Sequence, residues 1–462
     1  MQYINNISCI LVFAFLTFSM TIKGASNAIL FLMFITTLIY AIKFHKNNIQ
    51  TKISHNLRKF LICSFLIFSS PFILTFIQFI LGFPIKVNYF DSVLRFVLSA
   101  ACIFLLPFIN NNTNNVNNTE NNVIEKGLVG IILAAFGLGI WGYLSTNIPH
   151  FMWIDSERAW NGFSNPIPYG LICIMFAVMA LIFPFSIIQK YYKNCKFLKF
   201  LKFLQSEQVF LSIKILAFLA GLYGAYQSGS RIALLVFPLF IFVAVYTKTT
   251  LNKRQKFLYL CGFLVLVSTP LLVFNNKFSN RIQDGFNDIE KYKSVQNINK
   301  ETLSKNNNYN TSMGLRFVMW SEAMKIIKTD NNWIFGIGRS NFMPTMIKLH
   351  SEGKVVDEIR ATPHPHSEYF NSFVEFGIFG LVSLLLIYLF PLLFYCNKRY
   401  LQHKDEAVKF AARSGIILSS GYTIAGIFDC YFWIVSLVNF YILTNVIFMS
   451  LILSKTAKLK EY

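Results

Sequence analysis

The segment His364-Pro365-His366, closely followed by Glu368, has the residue types of an acid–base site. A neutral imidazole accepts a proton near neutral pH, and histidine is the commonest general base in enzymes. The segment lies just before a long apolar run, and ionisable groups near lipid usually serve a functional site because they are expensive to hold there. It therefore predicts chemistry at one face of a membrane. The alternative is a structural histidine that is hydrogen-bonded near the start of the following helix.

The spacing of His364 and His366 is also compatible with zinc binding. Catalytic zinc is held by three protein ligands, and the sequence offers no convincing third ligand at a rigid spacing. We therefore predict no metal in this site.

Three arginines have positions suited to binding an anion. Arg231 starts an apolar helix directly after the small residues 228–230, Arg316 lies near a helix start, and Arg339 follows the Gly-x-Gly turn 336–338. A guanidinium binds phosphate oxygens through two parallel hydrogen bonds. The alternatives are a snorkelling side chain for Arg231, a solvated one for Arg316 and a simple turn before Arg339.

Arg95 is a further candidate because it lies within an apolar run, shortly after Asp91. Charges at membrane depth almost always face a partner. Arg95 could bind a lipid phosphate or pair with an acid such as Asp429, and the sequence leaves both possibilities open.

Apolar helices must position these residues. The chain of 462 residues is 55% hydrophobic and only 14% charged, with a mean hydropathy of +0.50, whereas a soluble domain carries about 25% charged residues. This composition predicts an all-α polytopic membrane protein with about 12 transmembrane helices, each of roughly 20 residues. The apolar runs are 6–23, 25–44, 60–81, 93–109, 128–146, 168–189, 209–227, 232–247, 257–274, 372–395, 410–428 and 431–453.

The distribution of Lys and Arg predicts the orientation of these helices. Basic loops alternate along the chain and would all face the cytoplasm if both termini are inside. The basic segments are 43–59, 190–202, 248–256, 398–409 and 455–460. The net charge of +21 therefore reflects membrane topology, and we predict no nucleic-acid partner, since nucleic-acid binders concentrate basic residues on a folded soluble face.

This topology predicts three parts. Residues 1–274 would form the first nine transmembrane helices, and residues 275–371 would form one large periplasmic loop domain between helices 9 and 10. Residues 372–462 would form the last three helices and a cytoplasmic tail. Loops as long as 275–371 are uncommon unless they are functional or disordered.

Four motifs in order resemble the superfamily of O-antigen ligases and O-antigen polymerases. They are Ser-x-Ser-Arg at 228–231, Gly-x-Arg-x-x-x-Trp at 314–320, Gly-x-Gly at 336–338 and His-x-His-(Asn/Ser)-x-Tyr-(Leu/Phe)-x-x-x-x-Glu-x-Gly at 364–377. The resemblance covers roughly residues 209–386. Ser367 and Phe370 stand where Asn and Leu are common, and neither change removes an ionisable group.

The resemblance implies a GT-C-type glycosyltransferase of the bacterial inner membrane, inverting and without metal or cofactor, whose active site is periplasmic. The donor would be an undecaprenyl-diphosphate-linked glycan and the acceptor a sugar hydroxyl of lipid A–core, both embedded among membrane lipids. Arg231 and Arg316 would bind the diphosphate, and His366 would be the general base. The candidate substrate contacts are His364, Glu368, Arg339 and Arg95.

Other functions remain open. An O-antigen polymerase uses the same donor with another polyprenyl-linked chain as acceptor, and a protein O-oligosaccharyltransferase uses a Ser or Thr side chain. The shared motifs do not separate these acceptors. We favour the ligase because of the single compact outer domain and the modest length, which is an argument by analogy at the level of the fold. A polyprenyl-glycan flippase or another transporter is the alternative from a different class, but we find no internal repeat of the kind common in transporters.

Overall fold

The computed structural model describes most of the chain, and all regular secondary structure in the described residues is helical. The described residues are 2–46, 54–108, 123–148, 158–192, 206–247, 312–355 and 359–456, with a few short stretches between 252 and 287. A helical membrane protein is therefore confirmed.

We number the α-helices of the described residues in chain order. They are α1 (Gln2–Phe18), α2 (Ala25–Lys46), α3 (His55–Ile80), α4 (Tyr89–Ala101), α5 (Val123–Gly127), α6 (Gly130–Asn147), α7 (Pro166–Leu181), α8 (Phe185–Tyr192), α9 (Glu207–Ser228), α10 (Arg231–Tyr246), α11 (Ser312–Lys328), α12 (Asn332–Phe335), α13 (Phe342–Ser351), α14 (Glu368–Tyr395), α15 (Lys398–Leu401), α16 (Glu406–Ala425) and α17 (Val435–Thr456). A 3₁₀ helix, Tyr431–Trp433, lies between α16 and α17.

Within the described residues, seven helical segments are long and apolar enough to cross a membrane. They are Ala25–Lys43, His55–Ile80, Tyr89–Phe108, Ile124–Asn147, Glu207–Ser228, Glu368–Tyr395 and Val435–Thr456. Three shorter apolar helices accompany them, namely Tyr3–Phe18, Pro166–Leu181 and Arg231–Tyr246.

Eleven of the twelve apolar runs found in the sequence coincide with described helices. The run 168–189 is divided into α7 and α8, because Pro184 just before α8 cannot continue a helix. Most of the run 257–274 lies outside the described residues. The count of twelve, the position of the outer loop and the division into 1–274, 275–371 and 372–462 therefore stay predictions.

Small residues let α6, α7 and α9 approach each other closely. A side chain at Gly139 would collide with the backbone of Ala220, and Gly142 lies against Gly224. Gly170 at the start of α7 lies against Ser228 at the end of α9. Close contact through small residues is a common way for helices to associate in membranes, and here it fixes the turn that precedes Arg231.

The segment formed by α11, α12 and α13, which we name the outer segment after its predicted location, packs against the start of α14. Its small apolar core consists of Met319, Ala323, Ile326, Ile327, Phe342, Met346, Ile359 and Val374. Because Val374 belongs to α14, this core attaches the segment directly to a long apolar helix.

At the other end of the bundle, residues from separate basic segments meet. Lys455 at the end of α17 lies 2.6 Å from Glu125, and Lys190 of α8 lies 3.5 Å from the same carboxylate. Asp405, just before α16, also contacts Lys455 at 2.5 Å. Three of the five segments that the charge pattern assigns to one side of the membrane therefore converge at one end of the fold.

Candidate active site

The histidine segment lies where the start of α14 meets the end of α16. The backbone N–H of Glu368 donates to the carbonyl of Gly426 at 2.7 Å, and the N–H of Asn371 donates to the Ser367 carbonyl at 2.8 Å. His366 has a φ of 49°, in the left-handed region that few non-glycine residues adopt. Such backbone strain persists only where the surroundings enforce it and is concentrated at functional sites.

His366 is paired with Asp429, a residue from the loop between α16 and α17. The Nδ1 atom of His366 lies 3.0 Å from Oδ1 of Asp429. The same carboxylate oxygen accepts the N–H of Cys430 at 2.9 Å, and Asn165 reaches the other oxygen at 3.5 Å. These contacts hold Asp429 in one orientation, with only 3% of the residue exposed.

The pairing decides which nitrogen of His366 can act as a base. Burial acts to raise the pKa of Asp429, but the hydrogen bond and charge of His366 and the Cys430 N–H outweigh it, so the pKa lies below its usual range. An ionised carboxylate only accepts hydrogen bonds, and we therefore assign the proton of His366 to Nδ1. Its Nε2 then carries a lone pair, on a side chain that is 33% exposed.

His364 is the buried neighbour of this pair. Its Nδ1 accepts the backbone N–H of His366 at 3.3 Å, and its ring lies against His366 and Trp433 with centroid distances of 4.6 and 5.2 Å. Burial and the neighbouring His366 lower the pKa of His364 to about 4. His364 is therefore neutral at physiological pH and supports the turn that presents His366.

Two arginines from other parts of the chain, Arg231 and Arg316, interact electrostatically with each other, and Arg316 also interacts with Asp429. Burial lowers the pKa of the Arg316 guanidinium; Asp429 acts to raise it and Arg231 to lower it further. The positive charge of Arg316 also acts to lower the pKa of His364. Arg316 therefore lies close enough to Asp429, His364 and Arg231 for their charges to interact.

The turn before Arg231 is built to place it at a helix start. Gly229 has a φ of 58°, which glycine adopts without the penalty of a side chain. Ser230 accepts the N–H of Ala233 at 3.4 Å and donates to the Ile167 carbonyl at 3.2 Å. Arg158 donates from Nε to the Ser228 carbonyl at 2.8 Å.

A tryptophan connects the Arg316 helix to the histidine segment. The indole N–H of Trp320, one turn after Arg316 on α11, donates to the carbonyl of Pro365 at 2.8 Å. Its ring is stacked on Phe370 of α14 at 5.4 Å. Pro365 lies between the two histidines, so this hydrogen bond joins the two chemically important segments directly.

Comparison with known protein families finds a match in this part of the chain. Residues 216–385 match the family described as O-antigen ligase. This region is an O-antigen ligase family domain. It contains Arg231, Arg316, His364 and His366.

An uncharacterized protein of Haemophilus influenzae is 26% identical to this chain over 180 residues. The matched region is 39% of this chain and 42% of the relative, so the chain spans less than half of that relative's length. The family consists of membrane enzymes of the glycosyltransferase type, ligases and polymerases, which use lipid-linked glycans.

Three other predicted site residues form contacts within the protein. Glu368 is 4% exposed, and its carboxylate accepts the backbone N–H of Phe432 at 2.9 Å. Arg339 pairs with Glu375 at 2.9 Å. Arg95 pairs with Asp91 at 2.7 Å, whereas Asp429, its other suggested partner, is paired with His366.

The structure also supplies a third possible metal ligand that the sequence did not suggest. Donor atoms of His364, His366 and Asp429 lie within 4.8 Å of one another. The guanidinium charge of Arg316 nearby makes the site less favourable for a divalent cation and more favourable for an anion. We therefore interpret Asp429 as the partner that orients His366.

Asp429 and Trp320 are the main residues that the sequence did not assign to the site. Asp429 is an acid in the short interval between the apolar runs 410–428 and 431–453. That position on the predicted outer side was the available signal, although it could not identify His366 as the partner.

Proposed function

We propose that this protein is a ligase that transfers a glycan from an undecaprenyl-diphosphate carrier to a sugar hydroxyl of lipid A–core. The observation that carries the proposal is the His366–Asp429 pair together with Arg316 and Arg231, whose charges interact with each other and, for Arg316, with Asp429. His366 and both arginines lie in the region that matches the O-antigen ligase family. The reaction would take place at the periplasmic face of the bacterial inner membrane.

In this mechanism, Nε2 of His366 removes the proton of the acceptor hydroxyl. The hydroxyl oxygen attacks the anomeric carbon of the donor sugar, and the bond between that carbon and the diphosphate oxygen breaks. Asp429 stabilises the imidazolium that forms, as the acid does in a Ser-His-Asp triad. A single direct displacement inverts the configuration at the anomeric carbon.

The two arginines would stabilise the departing undecaprenyl diphosphate. Negative charge develops on its bridging oxygen as the bond breaks, and fixed cations beside it stabilise the transition state more than the ground state. Arg231 and Arg316 provide this charge from helices that are already positioned by packing. The chemistry then needs neither a nucleotide nor a metal cofactor.

The remaining candidates have supporting roles in this proposal. His364 is the nearest of them to the acceptor side because its ring touches His366. Glu368 and Arg339 stabilise the elements that carry the site through their buried contacts. Arg95 lies on α4, where its pairing with Asp91 leaves a partly exposed cation suited to a lipid headgroup.

Deletion of the gene followed by analysis of cell-envelope lipids tests the choice of acceptor. Accumulation of long polymer on undecaprenyl diphosphate is the expected result for a ligase. Single repeat units attached to lipopolysaccharide would indicate a polymerase instead. Unchanged lipopolysaccharide with loss of protein glycosylation would indicate a protein O-oligosaccharyltransferase.

Replacement of Asp429 by asparagine tests the orientation of the base. Asparagine has the same shape but no charge, so it can neither enforce the proton on Nδ1 nor stabilise the imidazolium. We expect kcat for glycan transfer to fall by about 10²–10⁴-fold, as is typical when the acid of such a pair is lost. The measurement is transfer by purified protein in lipid nanodiscs.

Asp405→Asn is the matched control for this variant. Asp405 caps α16 through the N–H of Ala407 at 2.8 Å and pairs with Lys455 at 2.5 Å, at the other end of the bundle. We expect this change to lower Tm and to leave kcat per folded molecule unchanged. Wild-type kcat in Asp429→Asn would remove Asp429 from the mechanism.

A further inference from the structure

A buried ion pair joins the outer segment to α14. Nη1 of Arg339 lies 2.9 Å from Oε2 of Glu375, and the other carboxylate oxygen accepts the N–H of Ser340 at 2.8 Å. Glu375 is completely buried and Arg339 is 8% exposed. Arg339 and Ser340 belong to the turn between α12 and α13, so the pair connects separate elements.

Backbone hydrogen bonds surround this ion pair. The N–H groups of Ile337 and Gly338 donate to the carbonyls of Val374 and Glu375 at 2.9 and 3.0 Å. These carbonyls are available because α14 is interrupted at Gly377, which has φ 64° and ψ −152°. A regular helix would use both of them in its own hydrogen bonds.

Gln78 of α3 closes the same junction from a third element. Its side-chain amide donates to the carbonyls of Phe335 and Glu375 at 2.8 and 2.7 Å. Its oxygen accepts the backbone N–H of Arg339 at 3.2 Å. We call the contacts of Arg339, Glu375 and Gln78 the outer lock.

The outer lock is connected to the helix that carries Arg316 and to the helix that follows His366. On one side, Asn332 of α12 donates to the Ile326 carbonyl of α11 at 3.0 Å, and α11 carries Arg316. On the other side, Glu375 lies on α14, which begins two residues after His366. The position of the outer segment on α14 therefore sets the position of Arg316 relative to His366.

We propose that Arg339 and Glu375 are positioning residues for glycan transfer, which fix the outer segment in one register on α14. This inference rests on the proposed function. A buried ion pair contributes little net stability, because desolvation offsets the attraction, but removal of one partner leaves a costly unpaired charge. Its value here is geometric, since a misplacement of about 1 Å can reduce a rate about 10²-fold.

The decisive variant replaces both partners, Arg339→Met together with Glu375→Gln. It leaves no buried unpaired charge, and glutamine can still accept the N–H of Ser340. We expect Tm close to that of the wild type, kcat reduced about 10–100-fold and donor KM changed less than about threefold. Amide hydrogen exchange in residues 312–345 should become faster.

The single variant Glu375→Gln distinguishes an effect on stability from an effect on the position of the outer segment. It leaves the Arg339 charge buried without its partner, so we expect a lower Tm as well as a lower kcat. If the double variant regains wild-type Tm and wild-type kcat together, the pair has only a structural role and the proposal is wrong.

The pair Lys325 and Glu322 on α11 provides a matched control. These residues form an ion pair at 2.5 Å within α11 itself, so this pair does not join two elements. Lys325→Met with Glu322→Gln should leave both kcat and hydrogen exchange unchanged.

The exchange measurement keeps the two proposals distinguishable. Absence of glycan transfer by the wild-type protein would refute the proposed function. Hydrogen exchange in 312–345 then decides the outer lock alone, and an unchanged rate in the double variant would overturn it.

Discussion

His366→Ala is expected to abolish attachment of the polymer while the protein remains in the membrane. Without the imidazole, no group in the proposed mechanism removes the proton from the acceptor hydroxyl, and a positioned general base is worth about 10²–10⁴-fold in rate. The contact with Asp429 at 3.0 Å holds Nε2 of His366 in one orientation. A water molecule in the space left by the ring is not held in this way, so it would be a less effective base. Transfer by purified protein and the lipopolysaccharide profile of complemented cells measure the effect.

The control for this variant must distinguish loss of the general base from loss of the folded structure. His55 is an exposed histidine at the start of α3, and His55→Ala should leave transfer unchanged. Membrane content of His366→Ala should stay near that of the wild type, and kcat is compared per folded molecule, since loss of the ring removes a partner of the buried Asp429 carboxylate. Normal long-chain lipopolysaccharide in cells that carry His366→Ala would remove this residue from the mechanism.

Arg231→Lys is expected to cause the second large loss, although it keeps the positive charge. Lysine is a compact point charge and cannot form the two parallel hydrogen bonds with which a guanidinium binds a phosphate. Loss of one preorganised donor to developing negative charge costs about 10²–10³-fold in kcat. We expect kcat to fall more than donor KM rises, because the charge on the leaving group is largest in the transition state.

A lysine exchange elsewhere tests whether the effect belongs to the site. Arg58 is exposed near the start of α3, and Arg58→Lys should have wild-type kinetics. Full activity of Arg231→Lys would show that only charge matters at this position, or that the side chain merely snorkels to the interface.

Two features of the fold illustrate what can be predicted from local sequence. The apolar runs predict most helices, because an uninterrupted hydrophobic stretch of about 20 residues has few other stable structures in a membrane. The run 168–189 was wrongly treated as one helix, although Pro184 was visible as the point of interruption. The run 257–274 is not tested by the described residues.

The candidate site was also only partly predictable from the sequence. Arg231, Arg316 and His366 could be selected from residue type, predicted position on one side of the membrane and resemblance to a family. The partner of His366 could not, because Asp429 is 63 positions away in the sequence. Arg339 was suggested as a substrate contact by its Gly-x-Gly turn, whereas the fold pairs it with Glu375, 36 positions away.

The sequence by itself determined that this chain is a helical membrane protein, and its motifs indicated the O-antigen ligase family and supplied the candidate catalytic residues. Only the tertiary structure decided which of these groups are engaged with each other. Hydropathy and helix starts depend on neighbouring residues, so they can be recognised along the chain. The partner of a charged side chain depends on which helices pack together, and close packing of α14, α16 and the outer segment is what brings these distant residues into contact.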